Sequence, residues 1–245
     1  IVAPPIRRGW VSVENGLITG IGGEAPRGSV DLGNVAVLPA LVNAHTHLEL
    51  SYLRGRVARA GRFLDWIRTV VAARREYRDP QDRRILDAAR SAIVEAHASG
   101  TRLIGDVSNT LATAALLQEA GMTARVFYEL LAFNATDPSA RVAAAYAATD
   151  AAHQAAPAVR VSLAPHAPYS VSPGMFAAIR EHLDAHADDL SSVHLAESPE
   201  EVEFLRTGGG GWRDLLQEPG AWRDSWQTPR CSPVAYLAEM GFLGA

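Results

Sequence analysis

One stretch of sequence decides the fold. It is the apolar run Leu38-Pro39-Ala40-Leu41-Val42-Asn43-Ala44-His45-Thr46-His47-Leu48, which leads into two histidines. We expect a strand over residues 35–47. Residues two apart in a strand point to the same face, so the imidazoles of His45 and His47 would project together, as two ligands of one metal must. The alternative for this pair is two loop histidines that bind nothing.

After this stretch the chain alternates between apolar runs of strand length and helical patterns, which is typical of parallel βα units. The four further strands are expected at 101–107, 123–133, 159–164 and 192–196. Helices are expected at 84–99, 111–120, 138–152 and 232–240, after Ser172-Pro173 and after Ser198-Pro199, and a long loop after Gly208–Gly211 carries Trp212, Trp222 and Trp226. Five such strands fit either an open doubly wound sheet or about five units of an incomplete (β/α)8 TIM barrel.

The first residues follow a different pattern, with short alternating runs at 10–14 and 17–21. The dipeptide Asn15-Gly16 between them is a strong hairpin signal. We therefore expect residues 1–38 to be the N-terminal part of a small β domain, a β-sandwich element, and residues 39–245 to form the α/β barrel domain without its C-terminal part.

Composition narrows the function classes. The 245 residues are 48% hydrophobic and 20% charged, which fits a folded domain and excludes intrinsic disorder. No apolar run reaches membrane-spanning length, and a net charge of -4 lacks the basic excess that nucleic-acid binding needs, so we expect neither partner. All 23 basic residues are arginine, which excludes mechanisms that need a lysine of this chain. A single cysteine, Cys231, and no visible secretory leader predict a cytoplasmic location.

Two more strand ends carry groups suited to chemistry. His194 ends the fifth expected strand and would be a third metal ligand, while Glu197, three residues later, would be the general base. The alternative for Glu197 is a helix-start carboxylate. His166 ends the fourth strand between two prolines, where it would contact substrate or donate a proton. The remaining histidines, His97, His153, His182 and His186, fall in helical stretches and are expected to be solvated.

Three motifs at expected strand ends together resemble those of the amidohydrolase superfamily. They are residues 38–48, Ala164-Pro165-His166-Ala167-Pro168-Tyr169-Ser170 and His194-Leu195-Ala196-Glu197. Within it the chain is similar to the cytosine deaminase-like branch of nucleoside, aminoheterocycle and chlorotriazine hydrolases, including aminodeoxyfutalosine and S-adenosylhomocysteine deaminases. Ala40 stands where that family usually has glycine. The family pattern also has a histidine on the sixth strand and an aspartate on the eighth, which we expect beyond Ala245.

The resemblance implies a metal-dependent hydrolase of non-peptide C–N bonds that deaminates a small aminated heterocycle or nucleoside. His45, His47 and His194 would bind one divalent ion, Zn²⁺ or alternatively Fe²⁺, Glu197 would shuttle protons and His166 would touch the substrate. Glu49 and Glu129 are further candidates for substrate binding, each with an equally good structural interpretation. A halohydrolase of the same family and a truncated, non-catalytic metal-binding scaffold stay as alternatives, and homo-oligomer formation is left open.

Overall fold

The structure, a computed structural model, describes residues 4–58 and 61–243. Residues 1–3, where the expected β domain begins, lie outside the described residues. The chain separates into two compact units, Ile1–Pro39 and Ala40–Ala245. Among the described residues, no helix combines the length and the apolar character needed to traverse a bilayer.

The first unit contains a β hairpin. Strand β1 (Trp10–Glu14) pairs antiparallel with β2 (Leu17–Gly22). The connecting residues Asn15 and Gly16 both have positive φ, 51° and 79°, as the two central residues of a type I′ turn require. The predicted hairpin is confirmed, but the described part of this unit holds only this two-stranded sheet, so the second sheet of a sandwich stays a prediction.

The second unit alternates strands and helices, and its α/β class is confirmed. Its strands are β3 (Leu41–Thr46), β4 (Thr101–Ser108), β5 (Thr123–Leu130) and β6 (Arg160–Pro165). Its helices are α1 (Phe63–Glu76), α2 (Arg83–Ala98), α3 (Thr113–Glu119), α4 (Pro138–Ala155), α5 (Pro173–Ala185), α6 (Pro199–Thr207), α7 (Gly211–Gln217) and α8 (Pro233–Glu239). A short 3₁₀ helix, Leu48–Leu53, follows β3.

The four strands form one parallel sheet in the order β3-β4-β5-β6. On one face, Ile104 and Val126 pack against Ile93 of α2 and Leu117 of α3, and all four are at most 1% exposed. The opposite face carries a small cluster of Val107, Phe127 and Ala164. Thr46 pairs with Asp106 and Glu129 with Ala164, so alternation along the strands puts His45, His47 and Glu129 on the face of this small cluster.

Proline starts fix four of the helices. Helices α4, α5, α6 and α8 each begin with proline directly after a capping residue whose side chain accepts a backbone N–H of the first turn. Proline suits this position because the first turn has no partner for its missing N–H. The capping residues are Asp137, Ser172, Ser198 and Ser232. This local chemistry explains why the helix starts were predictable.

The predicted fifth strand does not form, and the expectation of five strands is corrected to four in the described chain. Just before the predicted strand, serine side chains bond to the backbone beside β6: Ser191 Oγ donates to Leu163 O at 2.9 Å and Ser162 Oγ donates to Leu190 O at 2.6 Å. One backbone bond remains, from His194 N to His166 O at 2.7 Å. Residues 192–196 therefore lie beside the strand end of β6 without being a strand.

Three other boundaries differ from the predictions. Strand β3 begins only at Leu41, since Pro39 has no N–H to give to a ladder. Strand β5 ends at Leu130, after which Ala132 forms an isolated bridge with Val171. The expected loop after Gly208–Gly211 contains helix α7, whose first residue is Gly211 and whose N-cap has no capping side chain, so the usual start signal was missing.

Gly105 of β4 lies so close to the backbone of β3 that we expect no larger residue to fit at this position. A Cβ at this position would lie 2.4 Å from Ala44 O and 2.9 Å from Ala44 C, and backbone atoms cannot swing aside. We expect Gly105→Ala to lower the free energy of unfolding by about 1–3 kcal/mol, as overpacked cores do, and to shift the strand that carries His45 and His47. Urea unfolding and Zn²⁺ affinity of the variant measure the two effects.

The matched control is Gly209→Ala, where the new Cβ would meet only Thr207 Oγ1 at an ordinary 3.6 Å. This variant should keep both stability and metal affinity. Equal stability of the two alanine variants would contradict the close approach of β3 and β4 at Gly105.

Candidate metal centre and active site

Three histidines from two separate segments meet at the C-terminal edge of the sheet. His45 and His47 come from the end of β3, and His194 comes from the segment beside β6. Ring centroids are 5.0 Å apart for His45 and His47, 4.8 Å for His45 and His194, and 5.2 Å for His47 and His194. The structure therefore brings together the three sequence-predicted ligands.

The spacing of the nitrogens suits a cation. His47 Nε2 and His194 Nε2 are 3.2 Å apart, and two nitrogens bound to one tetrahedral Zn²⁺ at 2.0–2.1 Å would lie about 3.3 Å apart. Burial, followed by the charges of His194 and His45, lowers the pKa of His47 to about 4, and burial also lowers the pKa of His194. Both rings are therefore neutral near pH 7 and have a lone pair to give to a metal.

The carboxylate of Glu197 is held in a fixed orientation beside the histidines. Tyr169 Oη donates to Glu197 Oε2 at 2.5 Å, and the backbone N–H of Glu197 donates to Glu201 Oε2 at 2.8 Å. The other oxygen, Oε1, lies 3.9 Å from His194 Nε2. Ala196, just before it, adopts a left-handed φ of 56°, an uncommon conformation for a residue with a Cβ. The fold thus turns one carboxylate oxygen toward the metal-ligand edge of His194.

Tyr169, whose phenol donates a hydrogen bond to Glu197, is itself held in place by an aromatic stack. Tyr169 is 2% exposed, and its ring lies 3.6 Å from that of Trp212 at an interplanar angle of 14°. Burial, with the charge of Glu197 second, raises the pKa of Tyr169, so the phenol stays protonated and remains a donor. Trp212 is 4% exposed, and with Trp222 and Trp226 it belongs to the main hydrophobic core or packs against it, so these side chains pack the protein instead of forming an open loop.

His166 lies next to the cluster. Its ring stacks on His194 with centroids 4.9 Å apart, and its Nδ1 is 2.5 Å from Ser170 Oγ. Burial, with the neighbouring histidines second, lowers the pKa of His166 to about 3. The other ring nitrogen makes no hydrogen bond to the described residues, which leaves it available for a substrate.

The Glu49 carboxylate has all its hydrogen-bond donors from within the protein. Its side chain is 5% exposed, and its two oxygens accept hydrogen bonds from Ser108 Oγ, from Asn109 N, from both N and Oγ1 of Thr110, and from Arg74 Nη2, at 2.7–3.3 Å. It lines a cleft of about 450 Å³ together with Arg74 and Asn109. The carboxylate therefore organises the loop after β4, and its role as a substrate ligand stays a prediction.

Glu129 lies against the histidine cluster and not in the cleft. Its side chain is 4% exposed, Oε2 accepts a hydrogen bond from Asn109 Nδ2 at 2.8 Å, and Oε1 is 3.3 Å from His194 Nδ1. Burial raises the pKa of Glu129 to about 7, and the bond from Asn109 works in the opposite direction. As a substrate ligand Glu129 stays a prediction, but its present contact is with a candidate metal ligand.

Sequence reasoning missed three residues that shape this site. Arg74, near the end of α1, and Asn109, directly after β4, connect Glu49 to Glu129, while Tyr169 orients Glu197. Asn109 follows a strand end, the same position that singled out the histidines, so the same rule would have found it. No local pattern marks Arg74.

The expectation that the helix histidines are solvated is wrong for His182. Its side chain is 10% exposed, its ring centroid lies 4.2 Å from that of His186 and 4.5 Å from that of Tyr146, and its Nε2 is 3.8 Å from Asp189 Oδ2. That nitrogen has no hydrogen-bond partner among the described residues. Burial, with His186 second, lowers the pKa of His182.

This lowered pKa gives stability a pH dependence. Below pH 6.5 the unfolded chain binds a proton at His182 more readily than the folded chain, so the free energy of unfolding should fall as the pH drops from 6.5 toward the lowered pKa. We expect His182→Gln to lose less stability than the wild type between about pH 7 and about pH 5. Urea unfolding at several pH values measures the difference. His97→Gln, at an exposed histidine of α2, is the control, and parallel curves for wild type and His182→Gln would refute the expectation.

Several known proteins are similar to this chain in sequence and in fold. The chain is 27% identical to an aminodeoxyfutalosine deaminase of Deinococcus radiodurans over 238 residues, which cover 90% of this chain and 52% of that protein. It is 30% identical to an adenosine deaminase of Helicobacter pylori over 190 residues, covering 75% and 43%. The crystal structure of H. pylori aminofutalosine deaminase in complex with methylthio-coformycin superposes with a TM-score of 0.67 at 26% identity, covering 82% of this chain and 47% of that one.

The chain thus spans about half the length of the curated relatives it matches. The sequence profile described as "Amidohydrolase family" matches residues 36–221, from just before β3 to just after α7. This match includes both histidine segments, His166 and Glu197. Since it extends over well more than half of the sequence, the chain belongs to the amidohydrolase family.

Proposed function

We propose that this chain carries the metal-binding and proton-transfer residues of a hydrolase that deaminates a small aminated heterocycle or nucleoside. The observation that carries the proposal is the meeting of His45, His47 and His194 beside Glu197, whose free oxygen is turned toward them. Three imidazoles with an adjacent carboxylate are the arrangement of metal-assisted hydrolysis.

The family uses a divalent metal, and the donor set of this chain fits one. Three imidazole donors favour Zn²⁺, with Fe²⁺ as the alternative. The absence of lysine from the sequence argues against a carbamylated lysine of this chain between two ions, so we propose a single ion. Such an ion supplies Lewis acidity, which makes a hydroxide nucleophile available near neutral pH.

Glu197 would carry the proton through the reaction. Its Oε1 takes a proton from the attacking water as the new C–O bond forms and the C=N π electrons move to the ring nitrogen. Glu197 then gives this proton to the amino group, the ring π bond re-forms as the C–N bond breaks, and ammonia departs. The second hydrogen of the water stays on the hydroxylated ring. Tyr169 donates to Oε2 throughout, so only Oε1 is free to exchange the proton. His166, held at Nδ1 by Ser170, would present its other nitrogen to the substrate.

The activities named for the relatives support an amine on a nucleoside as the leaving group. They include aminodeoxyfutalosine, adenosine, and 5-methylthioadenosine/S-adenosylhomocysteine deaminases. Triazine hydrolases are structural neighbours at 16–20% identity, which supports a common fold alone. The halohydrolase therefore stays the second enzymatic alternative, and the metal-binding scaffold the non-enzymatic one.

A substrate panel tests the proposal on the protein expressed from its complete gene. Zinc-loaded protein is incubated with adenosine, 5-methylthioadenosine, S-adenosylhomocysteine, aminodeoxyfutalosine and a chlorotriazine, and ammonia and chloride are measured. Ammonia release that a chelator abolishes supports the deaminase. Chloride release alone would favour the halohydrolase, and bound zinc without either product would favour the scaffold.

We also propose that the four-stranded sheet is part of a (β/α)8 barrel and that residues 1–38 belong to a small β domain. The exposed edge strand β3, where Leu41 and Val42 are 56% and 62% exposed, supports further pairing at that edge. A crystal structure of the protein from its complete gene tests this. Homo-oligomer formation and a cytoplasmic location stay predictions, as does a small-molecule substrate without nucleic acid or membrane as partner.

A further inference from the structure

We propose that Glu129 is a positioning residue that decides which nitrogen of His194 carries the proton. It keeps the proton on Nδ1 and so leaves the lone pair of Nε2 for the metal. This inference rests on the proposed function, because it concerns a ligand of the proposed ion. It gives Glu129 a role other than substrate binding.

The two nitrogens of His194 face different partners. Nε2 points into the cluster, 3.2 Å from His47 Nε2, while Nδ1 lies 3.3 Å from Glu129 Oε1. Oε1 is buried and has no hydrogen-bond donor among the described residues. A buried oxygen without a donor is costly. His194 Nδ1, at 3.3 Å, is outside hydrogen-bond geometry here, and a slight turn of either side chain would let its N–H donate to Oε1. Glu129 therefore favours the tautomer that can bind a metal through Nε2.

A series of hydrogen bonds with a fixed direction makes Oε2 of Glu129 an acceptor. The guanidinium of Arg74 can only donate, and its Nη1 donates to Asn109 Oδ1 at 2.9 Å. The amide of Asn109 must then turn its Nδ2 to Glu129, where it donates to Oε2 at 2.8 Å and to the backbone O at 3.1 Å. Rotating the Asn109 amide by half a turn would place its NH₂ group against the N–H groups of Arg74, so that two donors would face each other.

The fixed direction of these hydrogen bonds makes the Glu129→Gln variant informative, although the new side chain has the same size. The new amide must turn its oxygen to Asn109, so its NH₂ group faces His194. Nδ1 then becomes an acceptor, and the proton of His194 moves to Nε2, which loses the lone pair that the ion needs. We expect Zn²⁺ affinity to fall by about 10–100-fold, as for other partners of metal-bound histidines.

The double variant Asn109→Asp/Glu129→Gln should restore part of this affinity. The new carboxylate at position 109 accepts from Arg74 and from the NH₂ group at position 129, which turns the amide oxygen back to His194 Nδ1. Rescue is expected to be partial, because the bond to the backbone O of residue 129 is lost. A role in packing alone would give no rescue, since the second substitution adds a polar conflict without restoring volume.

The experiment titrates Zn²⁺ into metal-free wild type, Glu129→Gln and the double variant against a chromophoric chelator, and records the visible absorption of the Co²⁺ forms. Thermal unfolding of the metal-free proteins checks that all three fold alike. Expected are one ion per wild-type chain, weaker binding with an altered Co²⁺ spectrum in the single variant, and partial recovery of both in the double variant.

Other outcomes are separable. Equal affinity in wild type and Glu129→Gln would overturn the positioning role while leaving the proposed function intact. Two ions per wild-type chain, with loss of one in Glu129→Gln, would also overturn it, because Glu129 would then bind a second ion with His166 and His194. No zinc binding by the wild type itself would mean that the proposed function fails.

Discussion

The Glu197→Gln variant of the protein expressed from its complete gene is expected to lose turnover by about 10²–10⁴-fold while it keeps its metal, because an amide cannot carry a proton from water to the leaving nitrogen. Glutamine has the same shape, and its oxygen can still accept the hydrogen bond of Tyr169. The measurements are kcat for ammonia release with the best substrate of the panel and the zinc content of the purified variant.

A matched control lies in the helix that follows. Glu203→Gln removes an exposed carboxylate of α6, which should leave kcat within a few-fold of the wild type. Turnover of Glu197→Gln near the wild-type value would remove Glu197 from proton transfer. Loss of zinc along with turnover would instead indicate that Glu197 acts as a ligand.

The His194→Ala variant should lose Zn²⁺ binding more completely than any variant of the surrounding network. It removes one of three nitrogen donors and also leaves Glu129 Oε1 without the nearby Nδ1. We expect affinity to fall by more than the ~10–100-fold typical of an outer partner, and activity to disappear with the metal. Chelator competition and metal analysis of the purified variant measure the loss.

His97→Ala is the control for this variant, since it removes an imidazole that is exposed on α2 and absent from the cluster. It should bind one zinc ion as the wild type does. Undiminished zinc binding by His194→Ala would show that the cation sits elsewhere, and the mechanism built on these three histidines would have to be abandoned.

Much of this architecture follows from local rules. The period of two along β3 predicts that His45 and His47 share a face, and parallel pairing puts the strand ends at one edge. Convergence with His194 and Glu197 was therefore expected from a fifth strand, and it occurs although that segment lies beside β6 without being a strand. Helix starts at Asp137-Pro138 and Ser232-Pro233 were equally local. These features need no knowledge of distant contacts.

What escaped prediction depends on contacts between distant parts of the chain. The fifth strand does not form, and just before it Ser191 and Ser162 make side-chain bonds to backbone oxygens across the gap to β6, contacts that periodicity does not encode. Helix α7 begins at a glycine without a cap and is stabilised by core packing of Trp212. The partners of Glu129 come from the residue after β4 and from the segment beside β6, so its surroundings exist only in the folded chain.

The stack of Trp212 on Tyr169 has a consequence for how this protein can vary. Helix α7 contributes none of the proposed reacting groups, yet its indole fixes the phenol that aims the proton carrier. Amino-acid changes that shift this helix by a fraction of an ångström would lower the turnover rate before they measurably lower the stability of the fold. Natural selection for turnover would therefore constrain a helix that contributes none of the proposed reacting groups.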